Sequence, residues 1–288
     1  MRVRAPAKLN LFLHVGGRRA DGYHELASLV AFAAYGDELH AVAAEQASLA
    51  IEGPFARGLK ADEDNLVIKA MRALQQVARE KRQETPPVAL SLKKNLPLAS
   101  GIGGGSSDAA ATLKLLSLLW DMRLGEAALA KLGLALGADL PVCVAARTML
   151  VEGIGERLTP APRMPPAATL LLNPGIEVPT ARVFQGLKAR SGAVAPALPP
   201  SFSDAEDLAN WLLATRNDLE APAIALAPAI KDCLDELRRT QGCLLARMSG
   251  SGATCFALYA SEMDAMSAQE ELGRTAPGWW SAATHLAA

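Results

Sequence analysis

The stretch "NLPLASGIGGGSSDAAATLKLL", Asn95–Leu116, decides how the chain is read. Ser100–Ser107 holds four glycines and three serines, and an apolar, alanine-led run follows at once. Backbone without Cβ atoms can curl so that several N–H groups converge, and a helix opening just beyond adds its unpaired N–H groups and positive dipole end. Such a place suits an anion, above all a polyphosphate. Composition alone also allows a plain loop before a helix capped by Ser107 or Asp108.

Two familiar phosphate loops are excluded. Walker A ends in Gly-Lys-[Ser/Thr], whereas Gly105 is followed by Ser106 and the nearest downstream lysine is Lys114. The dinucleotide fingerprint needs glycine at its first, third and sixth positions; Gly101 and Gly103 comply, but the sixth is Ser106.

Working outward, "PVALSLKKNLPL" alternates as a strand ending in a proline turn, and Asp108–Trp120 places Leu113, Leu116 and Trp120 on one helix face. Asp64–Val77 carries apolar residues at helical spacing behind an Asp-Asn start suited to capping. A helix is expected over Gly125–Leu136 with Gly137 as a left-handed cap, and "ADLPVCVAA" should lead into an apolar strand. Near the N-terminus, Lys8–Val15 alternates as a half-buried strand. Later elements are a strand at Ala168–Leu172, helices near Asp204–Leu213 and Pro222–Arg239, a strand around "LARMSGSGATCFALY" and a helix near Glu262–Leu272.

Strands and helices alternate without βαβ regularity, so the expected fold class is α+β. A length of 288 residues suggests two domains. The proline-rich tracts Thr159–Pro166 and Ala193–Pro200 read as connections, and the first sets the expected division into 1–158 and 159–288.

Lys and Arg (29) nearly cancel Asp and Glu (30), and no basic cluster exceeds a pair, which argues against a nucleic-acid polymer as partner. The four cysteines lack CxxC spacing or nearby histidines, so they read as reduced core thiols. The start "MRVRAPAKLN" has no apolar h-region, and no apolar run reaches membrane-spanning length. A cytoplasmic enzyme is expected.

Two polar residues stand out. Lys8 opens an otherwise apolar strand, where its ammonium is costly to bury without an anion. Asp139 precedes Leu140-Pro141 and could be a turn residue or a site carboxylate. Were the two to meet, the carboxylate could take a proton from a hydroxyl while the lysine offset phosphoryl charge. "MSGSGATCFALY", Met248–Tyr259, supplies a second Gly-Ser turn; it is not a nucleophile elbow, since Ser249 stands where the first glycine should.

Taken together, "PAKLNLFL" (Pro6–Leu13), "LPLASGIGGGSSDAA" (Leu96–Ala110) and "MSGSGATCFAL" (Met248–Leu258) resemble the three signature motifs of the GHMP kinases, in order and across nearly the whole chain. "ADGYHEL" (Ala20–Leu26), with "EDNLVIKA" (Glu63–Ala70), "GADLPVCV" (Gly137–Val144) and "NPGIEVPTARVF" (Asn173–Phe184), is similar to the branch acting on 4-(cytidine 5'-diphospho)-2-C-methyl-D-erythritol.

The resemblance implies a two-lobed α+β fold with its active site in the cleft between lobes, and ATP-dependent phosphorylation of that substrate's 2-hydroxyl. Asp139 would be the base and Lys8 its electrostatic partner. The phosphates of ATP would lie along Pro97, Leu98, Ala99, Ser100, Gly101, Ile102, Gly103, Gly104, Gly105, Ser106 and Ser107, with adenine near Asn65, Leu66 and Lys94. Cytidine would meet Tyr23, His24 and Phe184, with Asn10 and Thr180 along the substrate. Aromatic faces suit a cytosine ring.

Magnesium should accompany ATP, but no carboxylate cluster marks its ligands. The glycine loop departs from the commonest family pattern at Ala99-Ser100, where glycines often stand, and at Ile102, where leucine is frequent. Two alternatives stay open at this point: a GHMP kinase for homoserine, mevalonate or another small alcohol, and a catalytically silent nucleotide-binding module.

Overall fold

The computed structural model describes residues 1–20, 22–187 and 194–287. Packing divides the chain into two compact units built from interleaved segments. Met1–Ala7, Gly36–Leu98 and Gly103–Ala146 form the first; Lys8–Tyr35, Ala99–Ile102 and the described residues from Arg147 on form the second. Two long paired strands, β1 (Arg2–Arg18) and β2 (His24–Ala43), contribute to both.

In the first unit, the end of β2 pairs antiparallel with β4 (Val88–Lys93), from Glu38↔Lys93 to Ala43↔Val88. On its other edge β4 pairs parallel with β3 (Ser48–Glu52). Helix α1 (Leu66–Glu80) buries Val67, Ala70, Met71, Leu74 and Ala78 as one stripe. Its expected cap is real: the Asn65 side-chain oxygen accepts from Val67 N at 2.9 Å.

Helix α2 (Gly104–Leu119) is apolar nearly all round, with Ala109–Leu113, Leu115 and Leu116 buried. Such a helix needs cover on several sides, and α1, α3 (Glu126–Leu134) and α4 (Leu140–Ala145) supply it.

The second unit holds an antiparallel four-stranded sheet in the order β10-β7-β9-β8. Its members are β7 (Ala168–Asn173), β8 (Leu245–Met248), β9 (Cys255–Tyr259) and β10 (Trp280–His285). Helices α8 (Ala229–Arg239) and α9 (Glu262–Thr275) lie against it. Leu170, Leu172, Ile230, Leu234, Met248, Ala257 and Leu272 share its core. The fully buried Tyr259 meets its polar need through Thr240 Oγ1 at 2.7 Å.

Two shorter strands, β5 (Met149–Gly153) and β6 (Arg157–Pro160), extend from the start of β2, with Leu26↔Gly153 to Val30↔Met149 paired antiparallel. The remaining helices are α5 (Thr180–Gln185), α6 (Ala205–Leu213) and α7 (Glu220–Leu226). Among the described residues no helix is long and apolar enough to cross a membrane. The four cysteines are free thiols, three of them buried.

Several expectations need correcting. The second helix starts at Gly104, not Asp108, because Gly103 turns at φ 65° and lets the next glycines enter the helix. The third helix ends with Ala135 as its C-cap, and Gly137 is no left-handed cap; its N–H bonds to Gly133 O at 3.0 Å. "LPVCVA" is the short helix α4, not a strand; six apolar residues carry no decisive period, and Pro141 sits where a first turn tolerates it.

The β1 segment is buried on both faces rather than half-buried. Leu13 and Val15 enter the second unit's core, while the Phe12 ring lies 6.0 Å from Trp211. Pro222–Arg239 breaks into α7 and α8 around Ala227-Pro228. Thr159 and Pro160 belong to β6, an edge strand where proline is tolerated. The second proline tract is free of helix and strand over Val194–Pro200; Ala193 lies outside the described residues.

Candidate active site

In the second unit the three glycine- and lysine-bearing segments come together through backbone contacts. Lys8 N donates to Ile102 O at 2.9 Å, and Thr254 N donates to Ser100 O at 3.0 Å. The Ser249 hydroxyl accepts from Asn10 N at 3.1 Å and donates to Gly101 O at 3.1 Å. One buried serine thus touches both partner segments.

The fit requires glycine. A Cβ on Gly101 would stand 2.4 Å from Ser249 O and 2.8 Å from Gly252 N, and one on Gly250 would stand 2.6 Å from Gly101 O. Both glycines also have positive φ, 76° and 54°.

This junction is held from behind by residues that the sequence reading missed. Asn217 Nδ2 donates to Met248 O and Gly250 O, both at 2.8 Å. Arg247, only 7% exposed, donates to Leu11 O at 2.6 Å, Leu212 O at 3.0 Å and Thr215 O at 2.9 Å. Burial lowers its pKa to about 10, which still leaves a cation at neutral pH, and Glu220 nearby favours the charge. Arg247 borders the Met248–Leu258 motif, whereas Asn217 adjoins none, so its place gave no sequence signal.

Around the junction lie the residues expected along the substrate. Lys8 and Asn10 are each 5% exposed. Asn10 Nδ2 donates to Ser28 Oγ at 2.8 Å, which fixes the amide's orientation because Ser28 spends its own proton on Phe12 O at 2.6 Å. Asn10 Oδ1 is then a buried acceptor with no hydrogen-bond partner.

Thr180 Oγ1 lies 2.8 Å from Ser251 Oγ. One helical turn on, the Phe184 ring stands 5.5 Å from the His24 ring at 30°. His24 Nδ1 is 3.3 Å from Gly16 O, and a proton on Nδ1 leaves Nε2 as the ring's acceptor. Tyr23 is 58% exposed, which removes it from any core.

In the first unit, α2 begins with Gly103 as its N-cap and no capping side chain. Its first-turn N–H groups therefore have no side-chain cap, and with the helix dipole they suit an anion. Gly105 and Ser106 form that turn, while Ser107 points back and donates to Pro6 O at 2.8 Å.

Leu66 Cδ1 would lie 3.3 Å from a Cβ on Gly105, so the expected adenine neighbours adjoin the helix start. The side chain of Asn65 is occupied as a cap and also donates to Lys60 O at 2.8 Å. The Lys94 ammonium is buried between Asp37 and Asp108, with 2.7 Å to Asp108 Oδ2.

Burial pushes Asp108 up to about 7 against the opposing pull of Lys94. Burial works against the Lys94 ammonium too, but the two carboxylates outweigh it and raise its pKa. Asp139, an exposed residue of the same unit, occupies the N-cap position of α4 without using its carboxylate as a cap.

The uncapped helix start among consecutive glycines, the buried lysine strand and the second Gly-Ser turn are the segments that resemble the GHMP kinase motifs. The models for the GHMP kinase N-terminal and C-terminal domains match residues 65–147 and 195–278. A 4-diphosphocytidyl-2-C-methyl-D-erythritol kinase of Cereibacter sphaeroides is 51% identical over 96% of this chain and 95% of its own length. One from Chelativorans sp. is 49% identical over 99% of this chain and 95% of its own.

A crystal structure of 4-(cytidine 5'-diphospho)-2C-methyl-D-erythritol kinase superposes with a TM-score of 0.78 at 32% identity, covering all of both chains. The chain belongs to the 4-diphosphocytidyl-2-C-methyl-D-erythritol kinase family.

Proposed function

We propose that the chain transfers the γ-phosphoryl group of ATP to the 2-hydroxyl of 4-(cytidine 5'-diphospho)-2-C-methyl-D-erythritol, giving ADP and the 2-phosphate. This is a step of the non-mevalonate route to isoprenoid precursors. The observation that carries the reading is the junction of Ser249 with Asn10 and Gly101, which gathers parts of all three motifs around one hydroxyl.

Phosphoryl transfer asks the protein mainly for positioning and charge stabilisation. The loop from Pro97 to Ser107, ending in the uncapped turn of α2, takes the nucleotide's phosphates, with adenine near Asn65 and Leu66. His24, Phe184 and the exposed Tyr23 take the cytosine ring by stacking, with a ring nitrogen of His24 for its polar edge. The orphan Asn10 Oδ1 and the Thr180 hydroxyl orient the sugar alcohol.

Asp139 accepts the proton of the 2-hydroxyl, and the Lys8 ammonium offsets charge on the transferring group. Magnesium would accompany ATP and would supply charge neutralisation at the phosphates; among the described residues there is no cluster of three or more His, Cys, Asp or Glu that could hold an ion.

Asp139→Asn tests the base. Turnover should fall by ~10² or more while ATP affinity, measured by calorimetry, stays within about threefold. Unchanged turnover would mean that the hydroxyl loses its proton by another path.

A further inference from the structure

The Asp37–Lys94–Asp108 cluster has no part in the scheme above, yet its three side chains are among the most buried charges in the chain, at 0%, 2% and 3% exposure. Burying such groups is costly, and an apolar trio of similar volume would often be as stable. Its connectivity shows what the charges do. Asp37 Oδ1 accepts from Asn95 N at 2.6 Å and Leu96 N at 2.8 Å, gripping the chain where it leaves β4. Asp37 Oδ2 takes the Lys94 ammonium, which also donates to Asp108 Oδ2 at 2.7 Å, on the fifth residue of α2.

Everything between these stems, Pro97 to Gly103, is the glycine loop. The ammonium lies directly behind the start of α2: a Cβ on Gly104 would be 3.5 Å from Lys94 Nζ and 3.6 Å from Asp37 Oδ2. Both stems of the loop are therefore tied to one cation.

We propose that Asp37, Lys94 and Asp108 are positioning residues that fix both stems of the glycine loop and thereby set the affinity for the nucleotide's polyphosphate. This rests on the reading that the loop holds ATP phosphates. The Lys94 side chain serves the nucleotide through the loop it holds, not by touching adenine.

Charge arithmetic picks the clean probe. The cluster carries two carboxylates and one ammonium, and Asp108 Oδ1 has no hydrogen-bond partner. Removing Asp108 leaves a balanced Lys94–Asp37 pair, whereas removing Lys94 strands two buried anions.

The test measures ATP KM, substrate KM and kcat for Asp108→Ala and Asp108→Asn, with Gly103→Val as a control on the loop itself. Asp108→Ala should raise ATP KM about tenfold, with kcat and cytidyl-substrate KM within about twofold, as expected for a displaced positioning element. Asp108→Asn keeps an acceptor for Lys94 and should restore ATP KM to within about threefold of the parent.

Should Asp108→Ala fail to fold, Asp108→Ser, too short to reach Lys94, must show the same rise. An unchanged ATP KM in the folded Ala or Ser variant, with Gly103→Val weakening ATP, overturns the clamp and spares the loop reading. If Gly103→Val also binds ATP normally, both fall.

Discussion

The two ends of the glycine loop are held by opposite means. Where Ser100 and Gly101 meet the Ser249–Gly252 turn, the contacts described above are neutral, backbone groups and one hydroxyl, packed so closely that Gly101 and Gly250 leave no room for a Cβ. At the start of α2 the contacts are ionic, buried and net negative. The first end is specified by shape and tolerates no added atom. The second is specified by charge and tolerates changes of shape better than changes of balance. Substitutions should separate these modes.

The largest effect is expected at the ionic end. Lys94→Met leaves Asp37 and Asp108 buried without a counter-charge and should destabilise the protein by about 3–5 kcal/mol, read from urea unfolding. A loss below about 1 kcal/mol would mean the carboxylates take up protons readily enough to do without the lysine.

At the neutral end, Gly101→Ala must move a main-chain carbonyl now 2.4 Å from the new Cβ, in a backbone region alanine disfavours. A cost of about 2–4 kcal/mol is expected from the combined clash and positive φ, along with weaker ATP binding. A stable variant with normal ATP affinity would show that the two turns need not touch.

The next effect concerns pH. Burial pushes Asp108 up to about 7 in the folded protein, from the ordinary aspartate value of 3.8. Between these values the folded state binds more protons than the unfolded one, so this contribution is complete below pH 3.8 and is lost as pH rises through about 7. Asp108→Asn should flatten the decline of melting temperature with rising pH across that window. An equally steep decline in the variant would assign it to other groups.

The smallest effect is at Ala99, which sits at φ 47° ahead of the neutral junction. Ala99→Gly relieves left-handed strain but adds unfolded-state freedom, so a gain of about 0–1 kcal/mol is expected. A clear loss would mean that the Ala99 methyl packs usefully.

Much of this was legible in the sequence. Alternation located the middle of β1 and β4, the single strand expected around Leu245–Tyr259 proves to be the pair β8 and β9, and the Asp-Asn start marked α1 by side-chain chemistry. Local signals failed where a rule of thumb met a particular geometry. Glycine propensity hid the first turn of α2, and short apolar α4 had no period to read.

The polar supports of the site were the least visible. Arg247 reaches Leu11 across 236 residues and Asn217 reaches Met248 across 31, and nothing in a linear pattern marks such partners. The same holds for Lys94: the family resemblance implied a place near adenine, but only the fold puts its ammonium between two carboxylates.

A kinase whose acceptor carries a cytidine diphosphate should discriminate by that group, and ADP release followed with 4-(cytidine 5'-diphospho)-2-C-methyl-D-erythritol and, in parallel, with free methylerythritol, homoserine and mevalonate measures this directly. ATP-dependent turnover of the cytidyl substrate is expected at a kcat/KM at least ~10³ above any free alcohol, since a site shaped for a ring and its hydrogen bonds rejects acceptors lacking them. Equal turnover of a free alcohol would contradict it.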